Sequence, residues 1–275
     1  MPLAFSTLGC PGDTLAQLIG TALAAGATGL ELRAADGEFV HPAMTASGRA
    51  DVRAALADAG LEVLALASYV KVCDPDGAVD AELASAVDLA ADIGAANVRV
   101  FPGAGLAPHR AGTPLPDVLA AADSLGARRL TDASAHARAR GVTLALETHD
   151  SHPRGADIRR ILELLPDGAP VRVIWDLMHP WRHDEAPERT AELLAGRLAY
   201  AQFKDGVRIP GTNEVTLTLP GNGALPLRQM QSLAAGVSAS QGEIDPWVSL
   251  EWERAWHPEL PPLADALTAL KSVLA

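Results

Sequence analysis

Three apolar runs in the second half of the chain each end on a carboxylate: Leu144-Ala145-Leu146-Glu147, Val173-Ile174-Trp175-Asp176 and Val248-Ser249-Leu250-Glu251. A buried parallel strand is apolar up to its tip. A charge at that tip has to be hydrogen-bonded, paired or bound to an ion. A fourth run, Ala201-Gln202-Phe203, carries a neutral amide and leads into Lys204-Asp205. Two carboxylates have a histidine close behind, His149 after Glu147 and His179 after Asp176. Carboxylates drawn to one place repel unless a cation holds them. Hard oxygen donors favour Mg²⁺ or Mn²⁺, and Gln202 would add a carbonyl oxygen. Glu147, Asp176, Gln202 and Glu251 therefore form a candidate metal shell. His149 and His179 are candidates for holding the hydroxyls of a substrate.

These residues need elements to bring them together. Strand patterns fall at Leu3–Leu8, Gly29–Arg33, Glu62–Ser68, Asn97–Phe101, Thr143–Glu147, Arg172–Asp176, Leu198–Lys204 and Trp247–Glu251. Helical patterns alternate with them at Thr14–Ala25 (with Asp13 as the expected N-cap), Ser47–Ala59, Asp80–Ile93, Leu115–Arg140 (as one helix or two), Asp157–Leu165, Pro187–Leu194, Leu227–Ala235 and Pro262–Leu274. Gly26, Gly60, Gly94 and Gly141 recur between a helix and the next strand, where glycine reverses the chain. Eight strands alternating with eight helices predict a (β/α)₈ barrel filling residues 1–275 as a single domain. A doubly wound open sheet would want a Gly-rich phosphate loop after an early strand. Pro102-Gly103-Ala104-Gly105 lacks the third glycine and the immediate helix. In a barrel the chemistry sits at the C-terminal strand ends, which adds Arg33, Arg99, Lys204 and Trp252 to the residues facing one mouth. For Glu31 with Arg33, and Glu253 with Arg254, the expectation is a structural ion pair or hydrogen bond.

Composition narrows the function. The chain has 275 residues, 48% of them apolar, enough for a sizeable core. The net charge of −12, with no extended Lys/Arg run, speaks against a nucleic-acid surface. No apolar run approaches the ~20 residues of a membrane span, and the first residues enter a strand with no signal-peptide pattern. Cys10 and Cys73 are in no metal-like spacing and suggest free thiols in a reducing, cytoplasmic setting. All five tryptophans follow residue 170, and four flank the Asp176 and Glu251 tips. They read either as hydrophobic capping or as aromatic walls for a ring-shaped ligand.

At these residues the sequence resembles the xylose-isomerase-like superfamily of sugar and sugar-phosphate isomerases and epimerases. The resemblance runs through nearly the whole βα order and is most specific over residues 144–254. In that family, strands five to eight supply Glu, Asp, His and Glu to one divalent metal. The matching positions are Glu147, Asp176, Gln202 and Glu251. The family's Asp-x-x-His is present as Asp176-Leu177-Met178-His179, its Lys-Asp as Lys204-Asp205, and its Gly-rich turn as residues 219–226. Gln202 departs from the usual His, and Pro153 stands where a substrate-binding glutamate is often found.

The resemblance implies proton transfer at a carbon next to a carbonyl, in a sugar, keto-sugar or cyclitol. A divalent ion, Mn²⁺ or Mg²⁺, would stabilise the enediolate. Glu147 and Glu251 are then the acid/base pair as well as ligands, and Asp176 is the metal anchor. His149, His179, Lys204, Arg33 and Trp252 are the expected substrate-binding set. Three other readings fit the same scaffold: a lyase eliminating from 3-keto-glycosides, a non-catalytic sugar-binding barrel, and an endonuclease-IV-like repair enzyme. The last wants more His ligands and a basic face. A homo-oligomer is compatible with the sequence but no surface patch singles it out.

Overall fold

The computed structural model describes residues 1–242 and 246–275. Eight parallel strands close into one barrel: β1 (Leu3–Ser6), β2 (Gly29–Arg33), β3 (Glu62–Lys71), β4 (Ala95–Phe101), β5 (Thr143–Glu147), β6 (Val171–Asp176), β7 (Leu198–Phe203) and β10 (Val248–Leu250). The last strand closes the ring by pairing with both β7 and β1. The helices between them are α1 (Leu15–Ala25), α2 (Ala46–Asp58), α3 (Val79–Ile93), α4 (Asp117–Ala139), α5 (Gly155–Glu163), α6 (Met178–Arg182), α7 (Pro187–Leu194), α8 (Leu227–Ser240) and α9 (Leu263–Leu274). The expected (β/α)₈ architecture is therefore the observed one.

The glycine punctuation has the anticipated cause. Gly26, Gly60, Gly94 and Gly141 sit at φ 66°, 69°, 83° and 69°, where a side chain would be strained. The 115–140 pattern, open between one helix and two, is one uninterrupted helix over residues 117–139. Two details differ from the sequence expectation. The cap of α1 is Thr14, in a reciprocal capping box with Gln17, because Thr14 and not Asp13 is the residue whose hydroxyl reaches the Gln17 amide. The second difference is an antiparallel hairpin, β8 (Asp205–Arg208) with β9 (Val215–Thr218), which follows β7 outside the barrel. Its strands are short and half-exposed, so they leave little apolar alternation to detect.

Asp205 ties this hairpin to the Gly-rich turn. Its carboxylate accepts from the backbone N–H groups of Gly206 (2.8 Å), Gly221 (2.8 Å), Gly223 (3.1 Å) and Leu225 (3.1 Å). A side chain at Gly223 would overlap that carboxylate, which is why the position is glycine. The floor of the barrel is mainly apolar, built from Ala4, Leu64, Ala65, Ala145, Ile174 and Tyr200. Above that floor the interior turns polar.

Candidate active site

Strand register sets the geometry of the polar layer. Asp176 pairs directly with Gln202 across β6 and β7. Gln202 is level with Ser249 on β10, so Glu251 sits two residues further toward the mouth. Glu147 is the last residue of β5. One oxygen from each of Glu147, Asp176 and Glu251 lies within 4.8 Å of the others. These three residues and Gln202 are at most 4% exposed. The barrel thus brings together the quartet that the sequence singled out.

Two internal cations share this layer. The Lys204 ammonium lies 2.7 Å from Asp176 Oδ2, 2.6 Å from Glu251 Oε2 and 2.6 Å from Glu253 Oε1. The Arg99 guanidinium, on β4, lies 3.4 Å from Glu147 Oε2 and 3.4 Å from Glu251 Oε1, and donates to the Ser68 carbonyl. One carboxylate deeper, Glu31 accepts from Tyr200 Oη (2.7 Å), Gln202 Nε2 (2.9 Å) and Ser249 Oγ. Neither expected local ion pair forms: Glu31 faces inward, Arg33 pairs with Glu38, and Glu253 takes Lys204. Glu31 is satisfied by three neutral donors inside the barrel, and Glu253 by the ammonium that follows the neighbouring strand β7.

Burial and these partners set the protonation of each group. Burial drives the Glu147 carboxyl well above its ordinary range; Arg99 opposes this, and Glu251 and Asp176 add to it. Burial also raises Asp176 to about 6, although Lys204 pulls the other way. Glu251 feels the same burial, but Lys204 and Arg99 outweigh it and hold its carboxyl at about 2. Burial, then His149 and Lys204, press His179 well below the ordinary imidazole value, so it is neutral.

The donor set fits a divalent cation. Glu147 Oε1 and Oε2 and Gln202 Oε1 are buried oxygens without a hydrogen bond. The Gln202 amide cannot turn over, because its nitrogen faces two carboxylates, Glu31 at 2.9 Å and Glu251 at 3.3 Å. Orphaned buried acceptors are costly and rare in a folded chain. Here the Glu147 oxygens lie beside Asp176 and Glu251, and Gln202, which meets Glu251 through Nε2, leaves its own oxygen unengaged in the same layer, a donor set an oxygen-liganded ion can use.

At the mouth, Glu147, His149 and His179 also bring one donor atom each within 4.8 Å of one another. Both ring nitrogens of His179 are buried without a hydrogen bond. His149 pairs its Nδ1 with Asp150 at 2.8 Å and stacks between Phe101 (4.3 Å) and His179 (4.5 Å). Strand β5 stops at Glu147, so His149 is held by a tight turn in which His149 and His152 exchange backbone hydrogen bonds. That turn rests on a buried chain of side chains that no sequence pattern pointed to. Ser151 Oγ meets His152 Nδ1 at 2.9 Å, His152 Nε2 meets Asp123 at 2.6 Å, and Arg160 closes on Asp123 at 2.7 Å. Its Ser-His-Asp order resembles a nucleophile triad. Ser151 Oγ also accepts from the Ala104 N–H at 3.0 Å, so the chain ties this turn to the segment that follows β4.

The rim is aromatic. Arg33 stacks over Trp256 at 4.9 Å and donates to Tyr69 Oη at 2.8 Å, and Tyr69 leans on Phe101. Trp252, expected at the mouth, is fully buried, and its indole N–H donates to the Pro261 carbonyl at 2.8 Å. One residue past Glu251, it points to the outer core. Trp175 is equally buried, and Trp247 packs on the floor cluster. The tryptophans thus mainly cap and fill, and Trp256, 55% exposed, is the one open at the rim. Among the described residues no helix is long and apolar enough to cross a membrane.

The sequence profile describing the xylose isomerase-like TIM barrel matches residues 19–273. The chain belongs to that family. Its barrel is similar to the IolI protein solved with a binding zinc atom, at TM-score 0.76 and 17% identity, covering 99% of this chain and 96% of that one. It is similar to D-psicose 3-epimerase solved in the presence of D-fructose, at TM-score 0.74 and 13% identity over 100% and 99% of the two chains. The apo 3-keto-D-glucoside 4-epimerase of E. coli gives TM-score 0.73 and 16% identity over 99% and 98%. No curated protein sequence matches the chain. At such identities these likenesses are likenesses of fold.

Proposed function

We propose that this xylose isomerase-like barrel is a divalent-metal-dependent isomerase or epimerase of a sugar, keto-sugar or cyclitol. The observation that carries the reading is the pair Glu147 and Glu251, buried at one barrel mouth. Each has an oxygen within 4.8 Å of the other and of Asp176. Glu147, Asp176, Gln202 and Glu251 would hold the ion. Mn²⁺ or Mg²⁺ bound there supplies the positive charge that makes a C–H beside a carbonyl acidic enough to lose its proton.

The remaining work falls to the side chains. Glu147, which burial gives a high proton affinity, takes the proton from carbon or gives it back. Glu251, approaching from β10, serves the other face. His179 is neutral, with Nε2 3.5 Å from Asp176 Oδ2 and neither ring nitrogen hydrogen-bonded, so it can donate to or accept from a substrate hydroxyl. His149, packed against His179 at 4.5 Å, can present Nε2 to a hydroxyl, with Nδ1 already fixed by Asp150. Arg99 and Lys204 place positive charge where the enediolate oxygens develop negative charge. Phe101, Tyr69 and Trp256 give a sugar or cyclitol ring apolar faces to lie against.

A second reading keeps the proton abstraction and changes the fate of the enediolate. With a leaving group at the β carbon of a 3-keto-glycoside, the same enediolate eliminates. The exposed Trp256 at the rim favours it, because an aglycone would project there. The test is deuterium uptake from D₂O at a substrate carbon across a panel of ketoses, inososes and 3-keto-glycosides, with product analysis to separate epimer from eliminated aglycone. Exchange should vanish in Glu147→Gln. Undiminished turnover in that variant would remove Glu147 from the mechanism.

A further inference from the structure

Lys204 has an unusual set of partners. Its ammonium lies 2.6–2.7 Å from three carboxylates, hydrogen-bonded to Glu251 and Glu253 and ion-paired with Asp176. Two of these partners, Asp176 Oδ2 and Glu251 Oε2, belong to the proposed metal shell. The third, Glu253, lies beyond the end of β10, and its side chain is 21% exposed against 5% for Glu251. A lone pair given to the ammonium is not available to an ion, and an ammonium and a dication repel at such range. We propose that Lys204 is a displaceable internal cation: it holds Asp176 and Glu251 in the ion-free protein and withdraws to Glu253 when a divalent ion takes those oxygens.

The neighbouring cation cannot play this part. Arg99 is planar, donates to the Ser68 carbonyl and lies 4.4 Å over the Phe101 ring. Lys204 carries a point charge on a flexible stem and can keep one partner while leaving two. The ion has a foothold before the exchange, because both Glu147 oxygens and Gln202 Oε1 are without hydrogen bonds. Displacement makes metal binding a linked equilibrium, weaker than the oxygen donors alone would give. It also frees the Glu251 oxygen that Lys204 occupies. In the loaded site Lys204 stands outward beside Glu253, toward the mouth, where it can meet substrate.

This inference rests on the metal-dependent reading, and its test separates the two. The purified full-length chain is stripped with EDTA and titrated with Mn²⁺ by calorimetry. The proteins compared are the wild type, Lys204→Met, Glu253→Gln and the double variant. Lys204→Met should bind Mn²⁺ about tenfold more tightly or better, since the competitor is gone. Glu253→Gln should bind about threefold or more weakly, since the displaced ammonium loses its anchor. That loss should disappear when Glu253→Gln is added to Lys204→Met. Unchanged or weaker binding by Lys204→Met overturns the proposal. So does a Glu253→Gln loss that persists in the double variant, because Glu253 would then act on the ion by charge alone. Equal binding by all four proteins overturns the exchange and leaves the metal reading standing; no binding by any of them overturns both. If Lys204→Met does not fold, Lys204→Gln, which can still donate to one carboxylate, takes its place in the same cycle.

Discussion

Removing Arg99 tests the electrostatic account of the barrel mouth directly. Its guanidinium is 3.4 Å from an oxygen of Glu147 and 3.4 Å from one of Glu251, with the side chain 5% exposed. At an effective dielectric of about 20, each pair attracts by about 5 kcal/mol. Stripping water from the guanidinium costs several kcal/mol in return. What a mutation reads is the penalty of leaving a buried charge unpartnered, about 3–5 kcal/mol when one member of such a pair is removed. Arg99→Met keeps the apolar length that lies on Phe101 and deletes only the charge. Of the two carboxylates left behind, Glu251 still has Lys204, whereas Glu147 has no hydrogen bond at all. Glu147 can relieve itself by holding a proton, so the loss should fall near the lower end, about 3 kcal/mol. Adding Glu147→Gln should restore about 1–2 kcal/mol of it, because the stranded charge is then absent. The assay is urea unfolding at pH 7.5 in EDTA, followed by the fluorescence of buried Trp175 and Trp252. An Arg99→Met protein within about 0.5 kcal/mol of wild type would refute the reasoning, since that is the range of an ordinary surface change. Failure of Glu147→Gln to recover any stability would refute its central step.

Two further outcomes test the scaffold that carries the site. Asp205→Asn exchanges one acceptor oxygen for an N–H donor facing backbone N–H groups, two of which lose their partner; at about 1–3 kcal/mol for each stranded group, a loss of about 2–5 kcal/mol in urea unfolding is expected, and a change below about 1 kcal/mol would mean the Gly-rich turn holds itself. Asp123 feels burial upward, but His152 and Arg160 outweigh it and hold its carboxyl below the ordinary value. A depressed carboxyl contributes stability above its unfolded value of about 3.9 and loses it as pH falls through the folded one. The unfolding free energy should therefore fall more steeply below about pH 4 in wild type than in Asp123→Asn, and parallel curves would exclude this contribution.

Much of this was legible in the residues. Glu147, Asp176 and Glu251 stand out because a charge at the end of an apolar run has few explanations, and the helix-Gly-strand rhythm at Gly26, Gly60, Gly94 and Gly141 counts out the barrel. Gln202 could be aligned with them, but not its orientation, which depends on Glu31 approaching from β2. Arg99 was visible as a polar residue on β4; that it reaches Glu147 and Glu251 was not. The brace at His152 and Asp123 joins residues on two elements, and nothing in either local pattern names the other. Trp252 was misplaced because composition near a tip does not say on which side of the strand a residue falls.

The sequence by itself determined the fold and the end of the barrel at which the chemistry collects, because periodicity and chain-reversing glycines are local properties. Only the tertiary structure decided how the charges there are balanced. The distances that let Lys204 and Arg99 share out the carboxylates arise when β10 closes between β7 and β1. Electrostatic energy depends on those distances and on burial, and neither is written in the spacing of residues along the chain.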